Sequence, residues 1–152
     1  MSSHRKGPPS SRLALIFLLL MVASAFLLFY RLGDIEMRTW DESLYALRAK
    51  EMYLSRSLIA PTQEGKVAWS SGKPPFGYWL ILLSFHFLGF TPLALRLPFA
   101  IAGMGSILVL FLIGQQLRDH RLGLLSAIGL LLMPGFLTYS RQAILEPILT
   151  FL

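Results

Sequence analysis

The 152-residue chain contains no cysteine. That excludes a disulfide framework, a thiolate metal site and a cysteine nucleophile. Charge is also scarce: Asp, Glu, Lys and Arg make up 14% of residues, where a soluble domain carries about 25%. The scarcity is concentrated, because the runs 13–30, 74–95, 97–117 and 122–140 hold no Asp, Glu, Lys or Arg at all. Runs of about 18 or more such residues match the helix length that a bilayer core of about 30 Å demands. They exclude a soluble globular enzyme and a disordered tail. No Gly-rich phosphate loop is present either, since Gly72, Gly77, Gly103 and Gly105 lack its context. His4, His86 and His120 are isolated, so no histidine cluster supports a metal site. There is no internal repeat, and no low-complexity segment beyond the short polar N-terminus.

What is present is apolar bulk: 55% hydrophobic residues and a mean hydropathy of +0.60. The formal charge of +6 does not make a nucleic-acid binder, because the basic residues flank apolar runs instead of lining one face. The composition predicts an all-α polytopic membrane protein.

Charge placement predicts its orientation. Arg5, Lys6 and Arg12 stand before the first apolar run with no acid among them, which keeps residues 1–12 cytoplasmic under the positive-inside rule. A cleaved signal ending at Ala23-Ser24-Ala25 is the rival reading. The run continues through Phe26-Leu27-Leu28-Phe29-Tyr30, however, and further spans follow, so 13–30 is read as an uncleaved first span. Segment 31–73 carries seven basic and six acidic residues. A near-neutral stretch of that length reads as an extracytoplasmic loop. Thr39-x-x-Glu42, ahead of Leu44, Leu47, Ala49 and Met52, has the form of a capping box opening an amphipathic helix. Trp40, Tyr45, Tyr53 and Trp69 suit a membrane–water interface.

The basic hairpin 118–121, Arg-Asp-His-Arg, belongs on the cytoplasmic side. A full crossing by the preceding apolar segment would put it outside. The apolar core of that segment is Tyr78–Phe90, about 20 Å long at helical rise and too short to cross. Residues 74–92 are therefore expected to form an interfacial or re-entrant helix. Residues 93–117 and 122–140 then form two spans, and 141–152 starts a truncated further segment. This topology puts Asp41, Glu42, Lys73, Arg141 and Glu146 on the outer face.

Three groups of residues are candidates for chemistry. Asp41 and Glu42 are adjacent carboxylates at a membrane boundary, where a low dielectric tunes a general base; the plainer reading is that both acids favour a helix N-terminus. Lys73 precedes Pro74-Pro75 and offers a point charge for a lipid phosphate, or else snorkels at a helix end. Arg141 and Glu146-Pro147 follow a long apolar run, where a carboxylate is a functional candidate or an acid favouring the start of a helix at Pro147. His86 reads as a packed or interface-facing histidine.

Taken in order, Trp40-Asp41-Glu42-x-x-Tyr45, Lys50-Glu51-Met52, Lys73-Pro74-Pro75-x-x-Tyr78-Trp79, Arg96-Leu97-Pro98, Arg118-Asp119-x-Arg121-x-Gly123 and Leu145-Glu146-Pro147 resemble the N-terminal part of a GT-C glycosyltransferase. The family is that of the protein O-mannosyltransferases and 4-amino-4-deoxy-L-arabinose transferases, and the likeness runs from about Arg31 to the end. The resemblance implies GT-C-like transmembrane helices with an extracytoplasmic first loop bearing amphipathic helices. It implies a bacterial inner-membrane enzyme that moves a sugar from a polyprenyl-phosphate donor to an acceptor lipid, protein or glycan outside, with no nucleic-acid partner. In relatives the position of Asp41 is the candidate base and that of Lys73 contacts the lipid phosphate. Arg141 is grouped with Lys73 for the phosphate, and Glu42 with Asp41. Relatives commonly carry Leu-Asp-Pro where this chain has Leu145-Glu146-Pro147, a second acid one methylene longer. No cofactor is implied, and a divalent metal stays open. Relatives are longer, so the fragment alone is expected to be inactive. A transporter or flippase, which would call for charged or broken helices near mid-bilayer, and an inactive truncated membrane protein are the alternatives.

Overall fold

The computed structural model describes residues 11–34, 41–56, 62–63, 66–67 and 75–152. Its elements in chain order are α1 (Ser11–Phe29), α2 (Asp41–Ser55), β1 (Thr62–Gln63), β2 (Lys66–Val67), α3 (Pro75–Leu88), α4 (Pro92–Leu117), α5 (His120–Leu131), α6 (Pro134–Ser140) and α7 (Glu146–Phe151). The strands form only a two-residue antiparallel ladder, Thr62 opposite Val67 and Gln63 opposite Lys66. The chain is an all-α membrane protein: α1 and α4 are each long and apolar enough to cross a bilayer, and α5 with α6 makes a third candidate if the pair counts as one span.

Local chemistry sets the element ends. Arg31 turns the chain out of α1 with φ 52°, a left-handed conformation that stops the helix. Asp34 accepts from the Arg31 Nε–H at 2.9 Å across that turn. Gly89, at φ 69°, closes α3 after fourteen residues; glycine is the residue that takes this conformation without a Cβ penalty. Thr91 then caps α4, its Oγ1 accepting the Ala94 N–H at 3.1 Å, with Pro92 in the first turn where no N–H is needed. Asp119 caps α5 by accepting the Leu122 N–H at 2.9 Å.

The run 122–140 departs from the sequence expectation. It is two helices, α5 and α6, bent by 71° at the break. Pro134 supplies the cause, because its ring drives the preceding residue out of the helical region, and Met133 is extended at φ −74°, ψ 114°. The expectation of one continuous span over 122–140 is corrected here. The break carries no charged side chain, since residues 132–135 are Leu-Met-Pro-Gly.

Helix α4 is the shared wall of two cores. On one side Tyr45, Ala49 and Met52 of α2 and Tyr78, Ile81, Leu82 and Phe85 of α3 pack on Ala94, Leu95, Phe99 and Ala102. On the other, Leu20 and Leu28 of α1 and Leu124, Ala127 and Leu131 of α5 pack on Ile107 and Phe111. Phe17 stacks on Phe111 with centroids 4.1 Å apart. Helices α4 and α5 touch backbone to backbone: a Cβ placed on Gly123 would lie 2.5 Å from the Phe111 carbonyl oxygen. The small-residue contact lets the helices approach as membrane helices do.

Candidate functional site

The candidate site gathers at the end of the bundle where α2, α3 and α7 meet. Asp41 is the first residue of α2 and is exposed. One turn further on, Tyr45 is buried, its ring 4.9 Å from that of Tyr78 and 6.2 Å from that of Phe99. The near side of Tyr45 faces Gly77 of α3, where an added Cβ would sit 3.7 Å from Tyr45 Cε1 and 3.6 Å from Leu145 Cδ1. Burial pushes the Tyr45 phenol well above its ordinary range. Tyr78, Glu146 and Asp41 each add to that rise, and Arg48 opposes it. Two carboxylates remote in sequence, Asp41 and Glu146, therefore act electrostatically on one phenol. Both carboxylates are themselves exposed.

Glu42 faces the other way, into the bundle. Its carboxylate receives the Arg96 guanidinium in a fork, with Nε donating to Oε1 at 2.6 Å and Nη2 to Oε2 at 2.9 Å. Oε1 also accepts the Ala143 N–H at 3.2 Å. The third arm of Arg96, Nη1, donates to the Leu32 carbonyl at 3.0 Å. Both side chains are about 1% exposed. A bidentate charged pair of this kind is strong and directional, and it joins the α1–α2 connection, α2, α4 and the α6–α7 connection.

Arg141 lies on that last connection. Its Nη1 and Nη2 donate to the carbonyls of Leu27 and Tyr30 at 2.8 and 2.7 Å, closing the C-terminal end of α1, where carbonyls lack intrahelical donors. Its Nε is buried without a hydrogen bond among the described residues. Lys73, Trp40 and Trp69 lie outside the described residues, as does Thr39, the partner expected for Glu42 in a capping box. His86 is exposed on α3. Among the described residues, no three of His, Asp and Glu gather as a metal site would require.

Beside these residues runs a groove of about 490 Å³ between α3, α4 and α7, lined by Phe76, Leu80, Phe87, Pro98, Ile101 and Ile148 among others. Nearly all of its wall is hydrocarbon, and Ser84 is the one hydroxyl residue in it.

Sequence reasoning placed Asp41 and Glu146 among the candidates but gave Tyr45 only an interfacial role and Arg96 only a place in a motif. The signal for Arg96 was available. It is the one charged residue between the apolar runs 74–95 and 97–117, and an arginine so placed requires a partner.

A bundle of long apolar helices with a hydrocarbon groove in its side defines an integral membrane protein. The family described as dolichyl-phosphate-mannose-protein mannosyltransferase matches residues 72–152. The chain belongs to that family. It is 31% identical over 136 residues to an uncharacterized protein of Aquifex aeolicus (strain VF5), covering 89% of this chain and 27% of that protein. It is 35% identical over 111 residues to the undecaprenyl phosphate-alpha-4-amino-4-deoxy-L-arabinose arabinosyl transferase of Pseudomonas savastanoi pv. phaseolicola (strain 1448A / Race 6), covering 71% of this chain and 20% of that one. The chain thus spans about a quarter of the length of these curated relatives. No solved structure matches it significantly.

Proposed function

We propose that this chain carries the acceptor-activating end of a polyprenyl-phosphate-sugar transferase, working on the outer face of the bacterial inner membrane with the N-terminus cytoplasmic. The observation that carries the reading is that Tyr45, one turn after Asp41, and Leu145, next to Glu146, both come within 4 Å of a Cβ placed on Gly77, in a bundle that also holds an apolar groove. The groove suits an isoprenoid tail, which is hydrocarbon throughout. Asp41, exposed at the start of α2, accepts the proton of the acceptor hydroxyl. The hydroxyl oxygen bonds to the anomeric carbon as the carbon–oxygen bond to the lipid phosphate breaks, and polyprenyl phosphate leaves with the electron pair. Attack opposite the leaving phosphate inverts the sugar carbon. Lys73 is assigned to the phosphate as a point charge, with Arg141 as a second positive charge. Glu146 is the second acid, placed to hold the acceptor or sugar hydroxyls. Glu42, taken up by Arg96 and the Ala143 N–H, holds this arrangement in place. The acceptor is a lipid, a protein or a glycan.

The test is Asp41→Asn in the protein as the cell makes it, assayed in native membranes with polyprenyl-phosphate sugar. Asparagine keeps the size and much of the hydrogen bonding but takes the proton poorly. Turnover should fall by roughly 10²–10⁴-fold, the range of general acid–base catalysis, with protein level unchanged. Near-normal turnover removes Asp41 as the base.

A further inference from the structure

We propose that the buried Glu42–Arg96 pair is a positioning latch, fixing α2 in register against α4 and the α6–α7 connection so that Asp41 and Glu146 stay converged. The inference rests on the reading of Asp41 and Glu146 as site residues. Each contact of the pair lands next to something the site needs. Glu42 adjoins Asp41 in sequence, and its acceptor bond holds Ala143, which lies between Arg141 and Glu146. Arg96 reaches Leu32, just past the α1 end that Arg141 closes. One ion pair thereby ties every described segment that carries a candidate residue to α4.

Register is what apolar packing by itself leaves loose. The buried face of α2 consists of Tyr45, Ala49 and Met52 besides Glu42, and apolar contacts of this kind are non-directional. Sliding α2 along α3 and α4 exchanges one such contact for another. The guanidinium–carboxylate fork has one geometry, and a displacement on the ångström scale breaks both of its bonds at once. Net stability is a weak reason to keep a buried pair, because apolar replacements of similar volume are often neutral or stabilising. Specifying one arrangement is the contribution that apolar packing does not reproduce. Arg96 and Glu42 are accordingly positioning residues, acting through Asp41 and Glu146.

The experiment pairs a spectroscopic distance with kinetics. Cysteines replacing Leu47 on α2 and Leu149 on α7, both about half exposed or more, carry spin labels on a cysteine-free background. Their distance distribution is measured by double electron–electron resonance in nanodiscs, and turnover is measured with polyprenyl-phosphate sugar. The main variant is Glu42→Gln with Arg96→Met, which buries no lone charge and leaves the Ala143 N–H an amide acceptor. It should accumulate normally, broaden the α2–α7 distribution, and lower kcat by about 10²-fold, the cost of an ångström-scale misplacement, with little change in donor KM. Arg96→Lys keeps the charge without the fork, so it should fall between this variant and the unsubstituted protein in both readouts. It also supplies the measurement if the double variant does not accumulate.

A narrow distribution with full turnover overturns the latch. A narrow distribution with lost turnover overturns it as well, since the loss then has another cause, and so does a broad distribution with full turnover. Asp41→Asn is run beside these variants. If it keeps full turnover, the base assignment fails, while the distance distribution still judges whether the pair sets register.

Discussion

Adding one methyl group at two glycines of α5 should give opposite answers. At Gly123 the new Cβ meets the Phe111 carbonyl oxygen at 2.5 Å and Gln115 N at 3.2 Å. A carbon–oxygen contact settles at about 3.3 Å or more, so α5 must withdraw from α4 by roughly 0.8 Å. The nearest obstructing atom is a backbone oxygen that cannot rotate aside, and the Phe111 ring at 3.0 Å adds to the crowding. A radial gap of about 0.5–1 Å forfeits a quarter to a half of each dispersion contact across it. The Ile107, Phe111, Leu124, Ala127 and Leu131 cluster is what faces that gap. The expected loss is about 1–3 kcal/mol, the range for overpacking a close contact. At Gly129 nothing lies within 4 Å of an added Cβ. Alanine there gains helix propensity, but membrane helices stay helical when they come apart, so the gain largely cancels and the change should stay within about 0.5 kcal/mol. The assay is reversible unfolding in mixed detergent–SDS micelles, comparing Gly123→Ala and Gly129→Ala with the parent. Equal midpoints for the two variants would show that α4 and α5 do not meet backbone to backbone, and the described packing of the second core would fall with that contact.

Two further predictions concern the connections. A topology reporter fused after Lys66 should read as external and one after His120 as cytoplasmic; both on one side would overturn the orientation on which the site grouping rests. Asp119 is held below its ordinary value of 3.8 first by the Leu122 N–H it accepts and then by Arg118 and Arg121, with desolvation opposing. A lowered folded value means that its contribution is fully present above the ordinary value of 3.8 and is lost as pH falls from there through the lowered folded value. Asp119→Ala should therefore speed amide hydrogen exchange at Leu122 at neutral pH, whereas Asp119→Asn, still a good cap, should not. Equal exchange in the two variants would dismiss the cap.

The sequence showed the class of fold clearly, because lipid imposes a length and an absence of charge that any reader of the chain can count. An element end is legible where a single residue enforces it, as Pro92 does in the first turn of α4. The bend at Pro134 was legible in principle, since a proline after Met133 predicts an extended residue there, but the unbroken apolar run hid it. The site was visible only as a list of separate residues. Nothing in the chain says that Glu42 turns inward while its neighbour Asp41 stays exposed, because that depends on which face of α2 meets α4. Pairing Glu42 with Arg96 across 54 positions requires the packed helices. So does bringing Glu146 near Tyr45.

The closure of α1 by Arg141 has a consequence for how the protein is made. The Leu27 and Tyr30 carbonyls accept from a residue 114 and 111 positions later. At translation rates of about 5–20 residues per second, that partner emerges on the order of ten seconds after the helix it finishes. Glu42 waits as well, first for Arg96 and then for Ala143. During synthesis the early helices thus enter the membrane with hydrogen-bonding groups uncommitted, which must stay at the wet boundary until the 141–143 stretch arrives. One short connection settles the partners of α1 and α2 together, long after both helices have been made.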